Sequence, residues 1–137
     1  FFHEQPFDFG VYGNGWKGFK HWKGLLPPLD IGKLYSSAVC GAAIIAKGQR
    51  EHGMINNRFT EMASCKCPII TYNYDTVDWF GAEKYLNFIS STEEFVDMVK
   101  QINQSRDEFV LKAEELNVFM IKKDKEFFER LDYLIEK

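Results

Sequence analysis

Two stretches of the chain carry residue types suited to anion and sugar chemistry. In Gln49–Glu61 (QREHGMINNRFTE) a polar segment containing Gly53 runs directly into what reads as a helix N-terminus. Free backbone N–H groups and the positive end of the helix dipole favour an anion at such a place. Arg58 falls in the first turn, where its guanidinium adds a bidentate phosphate contact. Glu61 follows one turn later on the same face, and a carboxylate there suits paired ribose hydroxyls, each donating a hydrogen bond. The plainer alternative is an i, i+3 surface ion pair between Arg58 and Glu61, worth only about a few tenths of a kcal/mol.

The second stretch is Gly13-Asn14-Gly15-Trp16, directly after an apolar run. Its glycines let a ligand approach the backbone closely. It lacks the third glycine of the dinucleotide fingerprint, and no acidic residue stands where a ribose ligand is expected. An ordinary turn is the competing reading.

Other reactive side chains are few. His3, His21 and His52 are the only histidines. His52 lies in the Gln49–Glu61 stretch and reads as a solvated loop residue rather than a catalytic base. Cys40, Cys65 and Cys67 form no disulfide framework, which points to a reducing compartment. Cys65-Lys66-Cys67 has no second ligand pair at zinc spacing, so the two thiols read as buried groups beside a strand.

The elements that must position these residues follow from periodicity. Phe7–Tyr12 (FDFGVY) reads as a strand ending at the Gly13–Gly15 turn. Lys17–Lys23 reads as a loop or weak helix, and the prolines in Leu25–Leu29 make it a connector. Asp30–Ala38 reads as a short helix with Asp30 at its N-cap. Cys40–Ala46 (CGAAIIA) and Pro68–Thr71 (PIIT) are continuous apolar runs, the mark of strands covered on both faces. Lys47–Met54 reads as a loop.

Asn56–Cys65 reads as a helix capped by Asn56 or Asn57, with Phe59, Met62 and Ala63 on one face. Tyr72–Ala82 reads as a loop with at most one helical turn, and Tyr85–Ile89 as a strand. Ser91-Thr92-Glu93-Glu94 is a capping box, followed by Phe95, Met98, Val99 and Ile102 at helical spacing. Two terminal helices are expected, about Arg106–Leu116 and Lys122–Glu136, the last with Phe127, Leu131, Leu134 and Ile135 on one face. Strands that alternate with helices and read as apolar runs imply an α/β fold. The expected architecture is a doubly wound, mostly parallel sheet with helices on both faces and terminal helices at the C-terminus. In such sheets ligands bind outside the carboxyl ends of the strands.

The chain has 137 residues, the length of one domain. Seventeen basic against 20 acidic residues leave a net charge of −3, which provides no footprint for duplex nucleic acid or an anionic membrane. Its longest apolar stretch, near Val39–Ala46, is far short of the ~20 residues that span a bilayer, and no signal-peptide pattern shows. The chain begins with Phe1 rather than Met, so it is expected to be a fragment of a longer protein. A receiver-type domain is disfavoured because Asp8 comes too early and Gly13–Gly15 occupies the strand end.

Three segments together carry a resemblance. They are Val11-Tyr12-Gly13-Asn14-Gly15-Trp16, then Leu34-Tyr35-Ser36-Ser37-Ala38, then Asn57-Arg58-Phe59-Thr60-Glu61-Met62-Ala63-Ser64-Cys65 with Pro68-Ile69-Ile70. In order and spacing they resemble the C-terminal domain of GT-B glycosyltransferases, in particular the CgeB-like group. The likeness covers roughly Phe7–Ile102.

It implies a cytoplasmic enzyme in which this single domain, residues 1–137, binds a nucleoside-diphosphate sugar. An N-terminal domain of the same protein would bind the acceptor, and transfer would occur in the cleft between them with no essential metal or cofactor. By position, Glu61 matches the ribose-binding Glu. Arg58, with the backbone near Gly53 and Met54, falls where the diphosphate lies, Asn57 is a further donor-binding residue, and Gly13, Asn14, Gly15 and Trp16 face the cleft. Tyr35 and the Leu25–Leu29 connector fall near the base. The sequence departs from the family in three places. Gly53 stands where many retaining relatives have a second Glu, Lys66 replaces a glycine after Cys65, and Thr60 separates Phe59 from Glu61. No catalytic base is named. The alternative is a non-catalytic nucleotide-sugar-binding or scaffold module of the same fold.

Overall fold

The computed structural model describes residues 7–135, with side chains as far as Arg130. Three parallel strands, β1 (Gly41–Ala42), β2 (Ile69–Tyr72) and β3 (Asn87–Ile89), form a sheet in the order β1-β2-β3. Gly41 pairs with Ile69, Ile70 with Asn87 and Tyr72 with Ile89. Five helices surround it: α1 (Ile31–Ser37), α2 (Lys47–Glu51), α3 (Asn57–Ser64), α4 (Thr92–Gln104) and α5 (Arg106–Ile135). The parallel α/β architecture matches the expectation.

Successive residues of β2 point to opposite faces, and each face has its own core. Ile69 packs with Phe59, Met62, Ala63, Trp79 and Leu116, under α3, α5 and the loop after β2. Ile70 packs with Ile89, Phe95 and Ile102 under α4. Both crossovers, β1–α3–β2 and the loop from β2 to β3, lie on the first face. Connections of one hand must do so when the strand order runs consecutively. The chain then turns, and α4 covers the other face, so helices lie on both faces as the strand patterns imply.

The caps of α3 and α4 follow the sequence. Asn56 Oδ1 accepts from the Phe59 N–H at 3.2 Å, and Ser91 Oγ from the Glu94 N–H at 3.1 Å. The Glu94 carboxylate reaches back to the residue before the cap, accepting from the Ser90 N–H at 2.6 Å. Asp30 holds the N-cap position of α1 but makes no capping bond, because its carboxylate pairs with Lys33 Nζ at 2.8 Å.

Several expectations are corrected. Phe7–Tyr12 is not a strand of the sheet. Its ladder is one bridge, Val11 to Trp22, with the Val11 N–H donating to His21 O at 3.0 Å and Val11 O accepting from Lys23 N at 2.8 Å. Asp8 and Gly10 interrupt the apolar run, and the backbone groups are satisfied locally. The strand in Cys40–Ala46 is only Gly41–Ala42. It lies at the sheet edge, and the chain beyond it buries Ala43 and Ile45 while exposing Ile44. β3 begins at Asn87 rather than Tyr85, because Glu83–Tyr85 forms a 3-10 turn.

Lys47–Glu51 is a helix rather than a loop. It ends in a Schellman motif at Gly53, whose φ of +67° favours glycine. Arg106–Ile135 is one helix rather than two. Asn117–Ile121 contains no Gly or Pro, and Phe119 and Met120 pack on the core. Asn117 Nδ2 also donates to Ala63 O at 3.2 Å, satisfying a carbonyl at the end of α3. The Leu131, Leu134 and Ile135 side chains lie outside the described residues.

Candidate functional site

The site is built from α3 outward. Asn56 is buried, and while Oδ1 caps the helix, Nδ2 donates to Ile44 O at 3.1 Å. One side chain therefore fixes where α3 starts relative to the segment leaving β1, at the carboxyl edge of the sheet. Phe59, Met62 and Ala63 anchor the inner face of α3. The outer face then presents Asn57, Arg58, Thr60, Glu61 and Ser64. The Asn57 and Arg58 backbone amides make no hydrogen bond within the described residues, as expected for the first turn of a helix.

Neither Arg58 nor Glu61 takes part in an ion pair or side-chain hydrogen bond among the described residues, although they are one turn apart. Glu61 is half-buried and Arg58 exposed. Glu61 lines an open groove of about 460 Å³ between α1 and α3. Pro28, Ile31 and Gly32 form one wall, and Thr60, Glu61, Ser64 and Cys65 the other. Tyr35 lies alongside. Burial pushes its phenol above the ordinary value, the Glu61 carboxylate adds to the rise, and the Arg58 guanidinium opposes it. Tyr35, Arg58 and Glu61 therefore share one electrostatic neighbourhood.

The other sequence-derived candidates are placed as follows. Gly13 has a φ of +113°, donates its N–H to Gly24 O at 2.9 Å and accepts from Trp22 Nε1 at 2.8 Å. Asn14–Trp16 form a 3-10 turn with Trp16 half exposed. None of these four residues lines the groove. Gly53 and Met54 donate their amides to Arg50 O at 3.0 Å and Gln49 O at 2.9 Å, so both amides are engaged in the cap of α2. His52 is exposed at the end of α2.

A residue that sequence reasoning did not single out is Arg50, whose guanidinium lies 4.8 Å from the centre of the Tyr74 ring. This stacking ties α2 to the loop after β2 and places at the carboxyl edge a cation with no ion-pair partner among the described residues. An arginine at the second position of the Gln49–Glu61 stretch was the available signal. A smaller concavity of about 260 Å³ at Gln104–Glu108, where α4 meets α5, contains none of the candidates.

Among the described residues, no group of three His, Cys, Asp or Glu side chains is placed to hold a metal ion. Among them, no helix is long and apolar enough to cross a membrane. The three thiols are unpaired.

Comparison with known proteins adds one match. A family model described as glycosyl transferase-like matches residues 2–117, most of the chain. No curated protein and no solved structure matches.

Proposed function

The chain belongs to the glycosyl transferase-like family, and from that premise we propose that it is the donor-binding half of a GT-B, CgeB-like enzyme that holds a nucleoside-diphosphate sugar. The observation that carries the reading is Glu61, a half-buried carboxylate on the wall of a groove with no hydrogen-bond or ion-pair partner for its side chain among the described residues. A carboxylate so placed is free to accept two hydrogen bonds from vicinal ribose hydroxyls, and charge-assisted bonds of that kind are among the stronger ones.

The donor then runs along α3. The nucleoside lies in the groove against Pro28 and Ile31, and the ribose sits on Glu61. The diphosphate rests by the open amides of Asn57 and Arg58 and the Arg58 guanidinium, with Arg50 nearby. When the glycosidic bond to the diphosphate breaks, these groups stabilise the leaving negative charge electrostatically, so no essential metal is required in this reading. Gly13–Trp16 face the acceptor side. The acceptor is held by an N-terminal domain of the same protein, and the free thiols fit a reducing, cytoplasmic setting.

Titration calorimetry with UDP-, GDP- and TDP-sugars tests the proposal. Heat from at least one donor, weakened in Glu61→Ala and Arg58→Ala, is the expected result. No heat from any donor would defeat it.

A further inference from the structure

We propose that Gly32 is the residue that keeps the α1–α3 groove open, and so sets the size of the nucleoside it admits. The inference rests on the donor-binding reading and goes beyond it, because it assigns a specificity role to a residue with no polar side chain. Gly32 stands in the first turn of α1 and is not among the residues with positive φ. Its backbone is therefore one that alanine adopts readily, and a helix disfavours glycine at such a position. Close packing does not demand glycine either. The single neighbour of an added Cβ would be Cys65 Sγ, at 4.0 Å, an ordinary contact.

What a longer side chain would take is the groove itself. In a helix, side chains lean toward the N-terminus and lie over the preceding turn. Four residues before Gly32 is Pro28, which lines the same groove with Ile31, Glu61 and Cys65. A leucine at position 32 would therefore fill the space between Pro28 and the Glu61 wall, where the base and ribose are placed.

The test uses UDP, TDP and GDP by calorimetry on the whole chain and on Gly32→Ala and Gly32→Leu, with thermal unfolding of each. Gly32→Ala should bind within about threefold of the parent, and Gly32→Leu should bind at least roughly tenfold more weakly, the scale of a blocked apolar pocket. Both should unfold no lower than the parent. A folded Gly32→Leu that binds as tightly as the parent overturns the assignment to Gly32 while the donor reading stands. Absence of binding by the parent overturns both.

Alkylation of Cys65, followed by mass spectrometry on the parent chain, gives a readout that does not depend on a variant folding. Saturating nucleotide should slow it, because Cys65 lines the groove. Unchanged Cys65 alkylation in a nucleotide-bound chain overturns the proposal.

Discussion

Glu61 stands one helical turn from Arg58 and does not pair with it. Elsewhere in the chain the same spacing does pair, as in Asp30 with Lys33 and Asp97 with Lys100. Glu61 is half-buried where α1 packs on α3, close enough to Tyr35 to raise its phenol pKa. A half-buried carboxylate without a partner among the described residues leads to the first prediction.

Glu61→Gln should weaken nucleoside-diphosphate binding by about 1.5–3 kcal/mol, the worth of hydrogen bonds to a charged group. Because the Glu61 side chain has no partner among the described residues, stability should change by no more than about 0.5 kcal/mol. Calorimetry and urea denaturation on the same protein measure the two quantities. A large stability loss with unchanged binding would make Glu61 structural.

The chain alone should transfer no sugar. In the proposed reading its candidate groups hold a donor, and none is assigned to an acceptor. Mass spectrometry of acceptor mixtures incubated with chain and donor should detect no glycosylated product, and steady turnover would contradict the two-domain reading.

Asn56 performs two tasks, capping α3 and satisfying Ile44 O. Asn56→Ala should therefore cost about 1–3 kcal/mol of stability. Asn57→Ala, one residue away and exposed, should cost less than about 0.5 kcal/mol. Equal losses in urea denaturation would show that the cap is misassigned.

Burial pushes the Cys40 thiol up to about 11 and the Cys67 thiol up to about 12, from an ordinary value of 9.0. Between 9.0 and those values the folded chain holds protons that the unfolded chain has released, so stability falls as pH rises. The contribution is fully present below pH 9.0 and is lost through about 11 and 12. Lys112 acts in the opposite sense. Burial lowers its pKa, so the folded chain gives up that proton first and gains stability as pH rises toward 10.5. Urea midpoints taken upward from pH 8.5 should decline, and Cys67→Ala should flatten the slope. An unchanged slope in that variant would remove the thiol from the account.

Val118 is exposed at the middle of α5, in the segment where sequence periodicity predicts a break. If the helix is continuous, Val118→Pro should cost about 3 kcal/mol or more, whereas Val118→Ala should cost little. Tolerance of proline, with unchanged helical circular dichroism, would restore the two-helix reading.

The glycosyl transferase-like family and the local frame could be read from the chain by itself. The Asn56 and Ser91 caps, the inner face of α3 at Phe59, Met62 and Ala63, and the buried run of β2 are short-range patterns. The groups that satisfy them lie within four residues, or one face demands burial whatever the partner. The choice among distant partners was not legible. Phe7–Tyr12 has strand chemistry, yet Val11 pairs with His21–Lys23 rather than with the sheet. Asn117 could have begun a break in α5, yet it ties the helix to the end of α3. Gly41 leaves the space that Met62 Sδ fills, a fit between residues 21 positions apart.

The groove is of the same kind. Glu61 was singled out by its motif, but the groove it lines, with Gly32 on the facing wall, exists only because α1 packs against α3. Local patterns are decided by spacing along the chain. Non-local contacts are decided by competition for burial and hydrogen bonds, and only the assembled tertiary structure resolves that competition.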